Sequence, residues 1–300
     1  MRDDQRAMPS TRDIRRRIKS VKNTAQITKA MQMVASAKMR RAQQAALAGR
    51  PYATLMNQVL AATTAGAGDF THALLEVRPV QRRAVILVST DKGLCGGLNT
   101  NLLREAMRYD KDTTLFVCAG KKGGQWAGRL KRQLVAEFGY KDIPLFSEAR
   151  AISKFAQQLF LDGKVDRVDV IFTNFINTLT QKPEARQLLP IIRIEALEAG
   201  VDGHHTRAVL VADDAREYKF EPGPAEVLEN LLPHYLNYQV FQFLQEAKAS
   251  EQSARMVAMK NATDNAKQII KDLTLEYNKL RQANITKELL EITSAAMAMG

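Results

Sequence analysis

Between Pro233 and Gly300 the chain contains neither proline nor glycine. These residues are the usual punctuation of helices, so their absence over such a length leaves room for one uninterrupted helix. Within it Met259, Ala262, Ala266, Ile269, Leu273, Leu280, Ala283 and Leu290 share one heptad register. An apolar period of 3.5 residues is that of a left-handed coiled coil. At the α-helical rise, residues 224–297 would span about 110 Å, far more than an ordinary globular helix. A helix of this kind needs a partner for its seam. Its first part is rich in large groups (Leu228, Leu231, Leu232, Tyr235, Tyr238, Phe241 and Phe243), which predicts that it lies on a folded domain.

The partner seam lies at the other end of the chain. Pro9, Ser10 and Thr11 form a helix start, with Ser10 or Thr11 as cap and Asp13 in the first turn. No glycine or proline follows until Gly49 and Pro51, where the helix is expected to pause. It resumes through residues 52–63 and ends at AGAGD, residues 65–69. One face carries Ile14, Ile18, Val21 and Ala25, and the register continues through Ala35, Met39, Ala42 and Ala46, with polar Thr28 and Gln32 between. The simplest arrangement pairs the two terminal helices antiparallel. The C-terminal helix is the longer, so its far end is expected to be left alone.

The middle of the chain changes character. AVILVST (84–90), TLFVCA (114–119) and VDVIFTNF (168–175) read as buried strands, and LLPIIRI (188–194) as a fourth. Helical stretches are expected at 100–109, 124–138 and 147–161. This alternation predicts a central Rossmann-like, mainly parallel α/β domain. The organisation is therefore a helix at 10–63, an α/β domain at 64–223 and a long helix at 224–300.

Composition is that of a folded, soluble protein: 45% hydrophobic and 25% charged over 300 residues. No apolar run reaches the roughly 18–20 residues needed to span a bilayer. The first 19 residues are basic but lack an apolar core and carry Asp3, Asp4 and Asp13, unlike a secretory signal or an acid-poor transit peptide. Cys95 and Cys118 are the two cysteines, too few for a disulfide framework, so a reducing compartment is expected. The net charge of +12 is concentrated. From Arg12 to Arg50 there are eleven Lys and Arg against one acid, Asp13, whereas residues 224–300 hold eight against nine. The basic excess belongs to one element, which calls for an acidic partner: nucleic acid, anionic lipid or an acidic protein face.

Candidates for chemistry are few. VSTDKGLCGGLNTN (88–101) joins a strand to a helix through glycines, a place where α/β folds bind phosphates. Yet Gly93, Gly96 and Gly97 fit neither a P-loop nor GxGxxG, and Gly120, Gly123 and Gly124 in AGKKGGQ also fail. A tight structural turn is the better reading. Cys95 has no histidine near it in sequence to act as its base. His72, His204, His205 and His234 are scattered without metal-ligand spacing. Glu251, Arg255, Lys260 and Asp264 read as the solvated face of a coiled coil. Arg281, Gln282, Asn284, Thr286 and Glu288 cluster where the partner helix has run out, which suits contact with another chain or a solvated surface.

Taken together, ITKAMQMVASAKMRRAQ (27–43), STDKGLCGGLN (89–99), SEQSARMVAMKNATDNA (250–266) and RQANITKELLEI (281–292) resemble the gamma subunit of F-type ATP synthase, in order and over nearly the whole chain. The resemblance implies a non-catalytic camshaft. In that family the terminal helices form an antiparallel left-handed coiled coil inside a ring of alternating alpha and beta subunits. The α/β domain sits at the foot, with the epsilon subunit, on the ring of membrane c subunits that proton flow turns. No cofactor or nucleic acid is implied. The basic N-terminal helix would meet acidic segments of the beta subunits through exposed pairs, each contributing about 0–1 kcal/mol.

Position by position, the resemblance makes Met31 the coupling methionine, with Lys29 beside it, and Arg255 a contact to the acidic beta segment. Arg281 and Gln282 match the pair that meets a beta-subunit loop, with Thr286 and Glu288 in the same cluster. Residues 292–299 match the tip that turns in an apolar collar. Lys92 and Cys95 would lie near epsilon and the base of beta, and Phe220 and Glu221 near the membrane ring. The region 184–213 lacks the cysteine pair of chloroplast relatives. A bacterial enzyme, peripheral on the cytoplasmic face of the inner membrane, is therefore expected. Two rivals stand against this reading: a nucleic-acid-binding coiled coil using Arg12 to Arg50, and an enzyme with a nucleotide site at 91–99.

Overall fold

In the computed structural model the described residues are 10–66, 70–191 and 219–299. They form two long helices, α1 (Thr11–Gly66) and α5 (Pro224–Met299), around an α/β segment. That segment holds strands β1 (Arg83–Val88), β2 (Thr114–Ala119), β3 (Gln133–Phe138), β4 (Arg167–Phe175) and β5 (Gln181–Leu189). Its helices are α2 (Leu98–Ala106), α3 (Lys121–Arg129) and α4 (Phe146–Leu161). Two compact units result, residues 35–257 and residues 1–34 with 258–300, and both long helices contribute to each.

In the larger unit the strands lie in the order β3-β2-β1-β4-β5, with β5 antiparallel to β4 and the others parallel. The sides of β1 alternate as a half-turn per residue requires. Val85 and Leu87 face α2 and α3, with Leu102, Ala106 and Ala127. Ala84, Ile86 and Val88 face the other way, with Ile152, Ala156 and Phe160 of α4 and Leu228, Leu232, Tyr235 and Leu244 of α5. The large groups at the start of α5 therefore do lie on the sheet, as their composition predicts.

Three expectations are corrected. The stretch 124–138 is not one helix. Lys131 takes a left-handed backbone, φ 51°, which stops α3 after Arg129, and QLVAEF continues as the edge strand β3. The fourth strand begins earlier than LLPIIRI: β5 includes Gln181–Leu189, whose polar residues suit an antiparallel edge. Ile192 and Ile194 lie outside the described residues. Finally, α1 does not pause at Pro51. Proline removes one helical donor there. Nearby, the Tyr238 hydroxyl donates to the Gly49 carbonyl at 3.0 Å, and a Cβ on Gly49 would meet that hydroxyl at 3.1 Å. Contacts of Gly49 with Tyr238 and Tyr52 with His234 run in opposite chain directions, so the two helices are antiparallel in this unit.

In the smaller unit the contact that sets register is Thr28 Oγ1 to Thr263 Oγ1, 2.7 Å. Stepping from it in opposite directions places Ala25 opposite Ala266, Val21 opposite Ile270, Ile18 opposite Leu273 and Ile14 opposite Tyr277, all covered positions. The α5 seam is thus Met259, Thr263, Ala266, Ile270, Leu273, Tyr277 and Leu280. Ile269, expected in the seam, is 47% exposed, because a threonine pair takes the position that the apolar pattern assigns to Ala262. Ala283 and Leu290 are exposed and have no seam partner among the described residues, where α1 starts at Thr11.

Glu246 of α5 is buried against the sheet, and its Oε2 finds no hydrogen-bond partner among the described residues. Burial pushes its carboxyl up to about 7; Arg186 opposes the rise and Glu184 adds to it. Because the folded value lies above the ordinary 4.5, stability is full below pH 4.5 and is lost as pH rises through 7. A rise of this size corresponds to at most about 3 kcal/mol at pH 8. Glu246→Gln should therefore raise the thermal midpoint at pH 8 more than at pH 5, as a pH series of melting curves would show; an equal difference at both would contradict it.

Candidate partner-binding surfaces

The crossover from β3 to β4 passes β1, so the sheet's topological switch point lies between the carboxyl ends of β1 and β4. Open α/β sheets hold their ligands in this crevice. Here the chain fills it with its own side chains. Ser250 of α5 donates to the Thr173 carbonyl at 2.9 Å and Ser253 to the Thr178 carbonyl at 2.7 Å. Ala249, Phe175 and Ala42 form a small apolar cluster. On the β1 side, Tyr140 donates to the Ser89 carbonyl at 2.9 Å.

The glycines of AGKKGGQ serve this closure. A Cβ on Gly120, whose φ is 96°, would stand 2.3 Å from the Ser89 carbonyl oxygen, and one on Gly123 would stand 2.9 Å from Ser89 Oγ. The start of α3 presses against the end of β1, and its first donors are taken. Lys121 N–H donates to Asp91 at 3.0 Å, Lys122 N–H to the Thr90 carbonyl at 3.0 Å and Gly123 N–H to Ser89 Oγ at 2.8 Å. An internal carboxylate thus sits where a phosphate would.

The loop 91–97 is pinned as firmly. Thr90 Oγ1 donates to the Lys92 carbonyl at 2.8 Å, and Asn99 Nδ2 donates to Thr90 Oγ1 and to Cys95 Sγ, at 2.8 and 3.3 Å. Cys95 is buried, and burial pushes its thiol up, against the nearby Arg255 charge. Cys118 is pushed up to about 12. Neither is a thiolate at neutral pH, and a nucleophile reading fails on that ground. Lys92 and Leu94 are exposed, and Leu94 has φ 62°, a conformation leucine rarely takes.

Arg255 sits differently from what its sequence context suggests. It is 9% exposed and its guanidinium bonds to Glu251 Oε1 at 2.8 Å, Gln252 Oε1 at 3.2 Å and the carbonyls of Lys92 and Gly93 at 3.3 and 3.2 Å. The structure therefore brings Arg255, Lys92 and Cys95 together, a grouping that sequence distance hides. Glu251 also turns out to be buried, although its spacing reads as a solvated face. Heptad reading assumes one partner helix, whereas here the partner is a sheet edge.

The remaining sites lie elsewhere. Met31 is half-buried beside the seam position Gln32. Arg281, Gln282, Thr286 and Glu288 are all exposed, on the part of α5 beyond its partner. Ile285, Leu289, Leu290, Ile292 and Met297 on the same stretch are also exposed, Met297 at 85%. Phe220 is half-buried, and Glu221 is exposed and paired with Lys219 at 2.8 Å. On α1, Arg12, Arg15, Arg16, Arg17, Lys19 and Lys22 are all exposed. His204 and His205 lie outside the described residues. Among the described residues no three His, Cys, Asp or Glu side chains gather as metal ligands, and no helix is long and apolar enough to cross a membrane.

Gly120→Ala should destabilise the chain by about 3 kcal/mol or more, since both φ and space forbid the methyl. Gly128, with nothing within 4 Å of its added Cβ, is the control. Gly128→Ala should be neutral or stabilising by up to about 1 kcal/mol. Urea midpoints of the two variants measure the contrast.

A sequence model of the family described as ATP synthase matches residues 10–299. The ATP synthase gamma chain of Methylacidiphilum infernorum is 46% identical over 298 residues, covering 98% of this chain and 100% of that one. That of Opitutus terrae is 49% identical over 295 residues, covering 97% and 99%. Among solved structures, a chain of the Euglena gracilis mitochondrial ATP synthase (OSCP/F1/c-ring) superposes with a TM-score of 0.70 at 19% identity, covering 96% of this chain and 94% of that one. A chain of the Tetrahymena thermophila central stalk and c-ring gives 0.57 at 24% identity, covering 79% and 99%. The solved structures bear on the fold alone, whereas the two gamma chains are similar from end to end. With these full-length matches, the chain belongs to the ATP synthase gamma chain family.

Proposed function

We propose that this chain is the central-stalk rotor of a bacterial F-type ATP synthase, peripheral on the cytoplasmic face of the inner membrane. It turns within the catalytic head of alpha and beta subunits, carries epsilon at its foot and engages the ring of c subunits. Proton flow drives the ring, and catalysis belongs to the beta subunits. Besides membership of the gamma chain family, one observation carries this reading: α5 continues from Arg281 to Met297 with every residue exposed. A lone helix of that length, with apolar and polar groups both turned to water, is marginal in solution and marks a surface made for other chains.

Within this proposal Arg281, Gln282, Thr286 and Glu288 meet the beta subunits, as does Met31. The residues after Ile292 turn in an apolar collar. Lys92 and the loop around Cys95 face epsilon and the base of beta, while Phe220 and Glu221 face the membrane ring. Arg255 enters with a changed role. Its donors are directed at this chain's own groups, so it reaches the beta segment through the loop it holds. The exposed cations from Arg12 to Lys22 supply charge for acidic beta surfaces, in pairs worth about 0–1 kcal/mol each, weak enough to break at every step.

Arg281→Ala combined with Gln282→Ala removes two exposed side chains, so folding should be unchanged to within about 0.5 kcal/mol. ATP turnover of the complex assembled with alpha and beta subunits should fall about tenfold, which corresponds to about 1.4 kcal/mol. Turnover equal to that of the unmodified complex would remove both residues from the proposed contact. Failure of the chain to assemble with alpha and beta subunits in a fixed ratio would overturn the rotor reading itself.

A further inference from the structure

Arg255 belongs to a larger group of charges whose other members have no role in the surfaces above. On α5, Lys248, Glu251 and Arg255 occupy one helical face, with side chains 3%, 3% and 10% exposed. Lys248 Nζ lies 3.0 Å from Glu251 Oε2, and Arg255 lies 2.8 Å from Glu251 Oε1. From Lys248 the series continues to Asp142, in the loop before α4, at 3.9 Å, and from Asp142 to Lys38 of α1 at 2.5 Å. The charges alternate along the path: Lys38, Asp142, Lys248, Glu251, Arg255. At its far end Arg255 holds the carbonyls of Lys92 and Gly93 after β1. Lys248 also lies 4.6 Å from the centre of the Tyr140 ring, whose hydroxyl bonds to Ser89. Five charged groups thus tie together α1, α5 and two loops at the carboxyl edge of the sheet.

Stability does not explain them. Removing Lys248 and Glu251 from water costs several kcal/mol per ion, and an apolar replacement of similar volume is often as stable or more so. What they add is position. The apolar contacts here are made by small or flexible groups: Ala35, Met39 and Ala42 on α1, and Ala247 and Ala249 on α5. Such a surface resists sliding weakly, because a shift by one helical turn meets another small group. The pairs of Glu251 with Lys248 and Arg255 lie within α5 and would move with it, but a slip would take Lys248 off Asp142 and the Tyr140 ring and Arg255 off the carbonyls of Lys92 and Gly93, leaving these buried cations short of partners. Lys38's hydrogen bond holds the Asp142 carboxyl below its ordinary value, so the outer link stays ionised at neutral pH.

We infer that Lys38, Asp142, Lys248, Glu251 and Arg255 are positioning residues that lock the register of the two long helices against the sheet domain, so that torque is carried without slip. This rests on the rotor reading. Load should matter more than speed. A slipping joint still lets the helices turn when nothing resists, but it loses displacement when protons must be driven uphill.

The test uses the reconstituted complex in vesicles and the double variant Lys38→Gln, Asp142→Asn, two partly exposed groups outside the proposed contacts. It leaves no buried charge unpaired, since Lys248 keeps Glu251 at 3.0 Å. The melting temperature should stay within about 4 °C, and ATP hydrolysis by the complex without a proton gradient should stay within about twofold. The proton gradient built per ATP hydrolysed should fall by about half. An unchanged ratio would overturn the lock and leave the rotor reading intact. A wild-type complex that builds no gradient would overturn the rotor reading, and the lock with it. Should the double variant fail to assemble, Asp142→Asn alone decides by the same ratio.

Discussion

A helix of 76 residues has to find cover along its length, and the rest of the structure depends on where α5 finds it. From Leu228 to Leu244 it is covered by the sheet and α4, with Leu232, Leu236 and Val240 fully buried. From Met259 to Leu280 cover narrows to one seam, closed opposite α1 around the Thr28–Thr263 hydrogen bond. Beyond Leu280 there is none among the described residues. Each loss of cover changes what the side chains do: first core, then seam, then an exposed surface. The polar cluster at 281–288 lies in the last zone, since the described helix α1 that forms the seam starts at Thr11.

The α/β segment shows how a ligand-binding architecture can be kept while its ligand site is lost. Strand order and crossovers place a crevice between β1 and β4, as in nucleotide-binding sheets. Serines and alanines of α5 occupy it, Asp91 takes the donor that a phosphate would need, and the close approach of Gly120 to Ser89 removes the remaining space. Small side chains do this because the helix has to come close to the strand ends. The same smallness weakens resistance to sliding, which gives the buried charges at 248, 251 and 255 their physical purpose.

Much of this was legible in residues alone. The long helix follows from the missing glycines and prolines, the parallel strands β1, β2 and β4 from short β-branched runs, and the misfit to a phosphate loop from glycine spacing. The misreadings have local causes. In KRQLVAEF a left-handed Lys131 ends a helix that propensity would continue. Thr263 holds a seam position because its hydroxyl meets Thr28, a pairing that hydrophobic counting cannot see. Arg255 and Glu251 looked solvated because a heptad assumes that every residue outside the seam faces water.

The sequence by itself determined the two long helices, strands β1, β2 and β4, the family and the concentration of positive charge on α1, since these depend on residues near one another in the chain. Tertiary structure alone decided which charges are buried, that Arg255 holds the loop after β1, and that the sheet's crevice is filled. Those outcomes depend on pairs such as Arg255 with Gly93 and Ser250 with Thr173. Groups so far apart along the chain leave no period or spacing to read, and only folding brings them within hydrogen-bond reach.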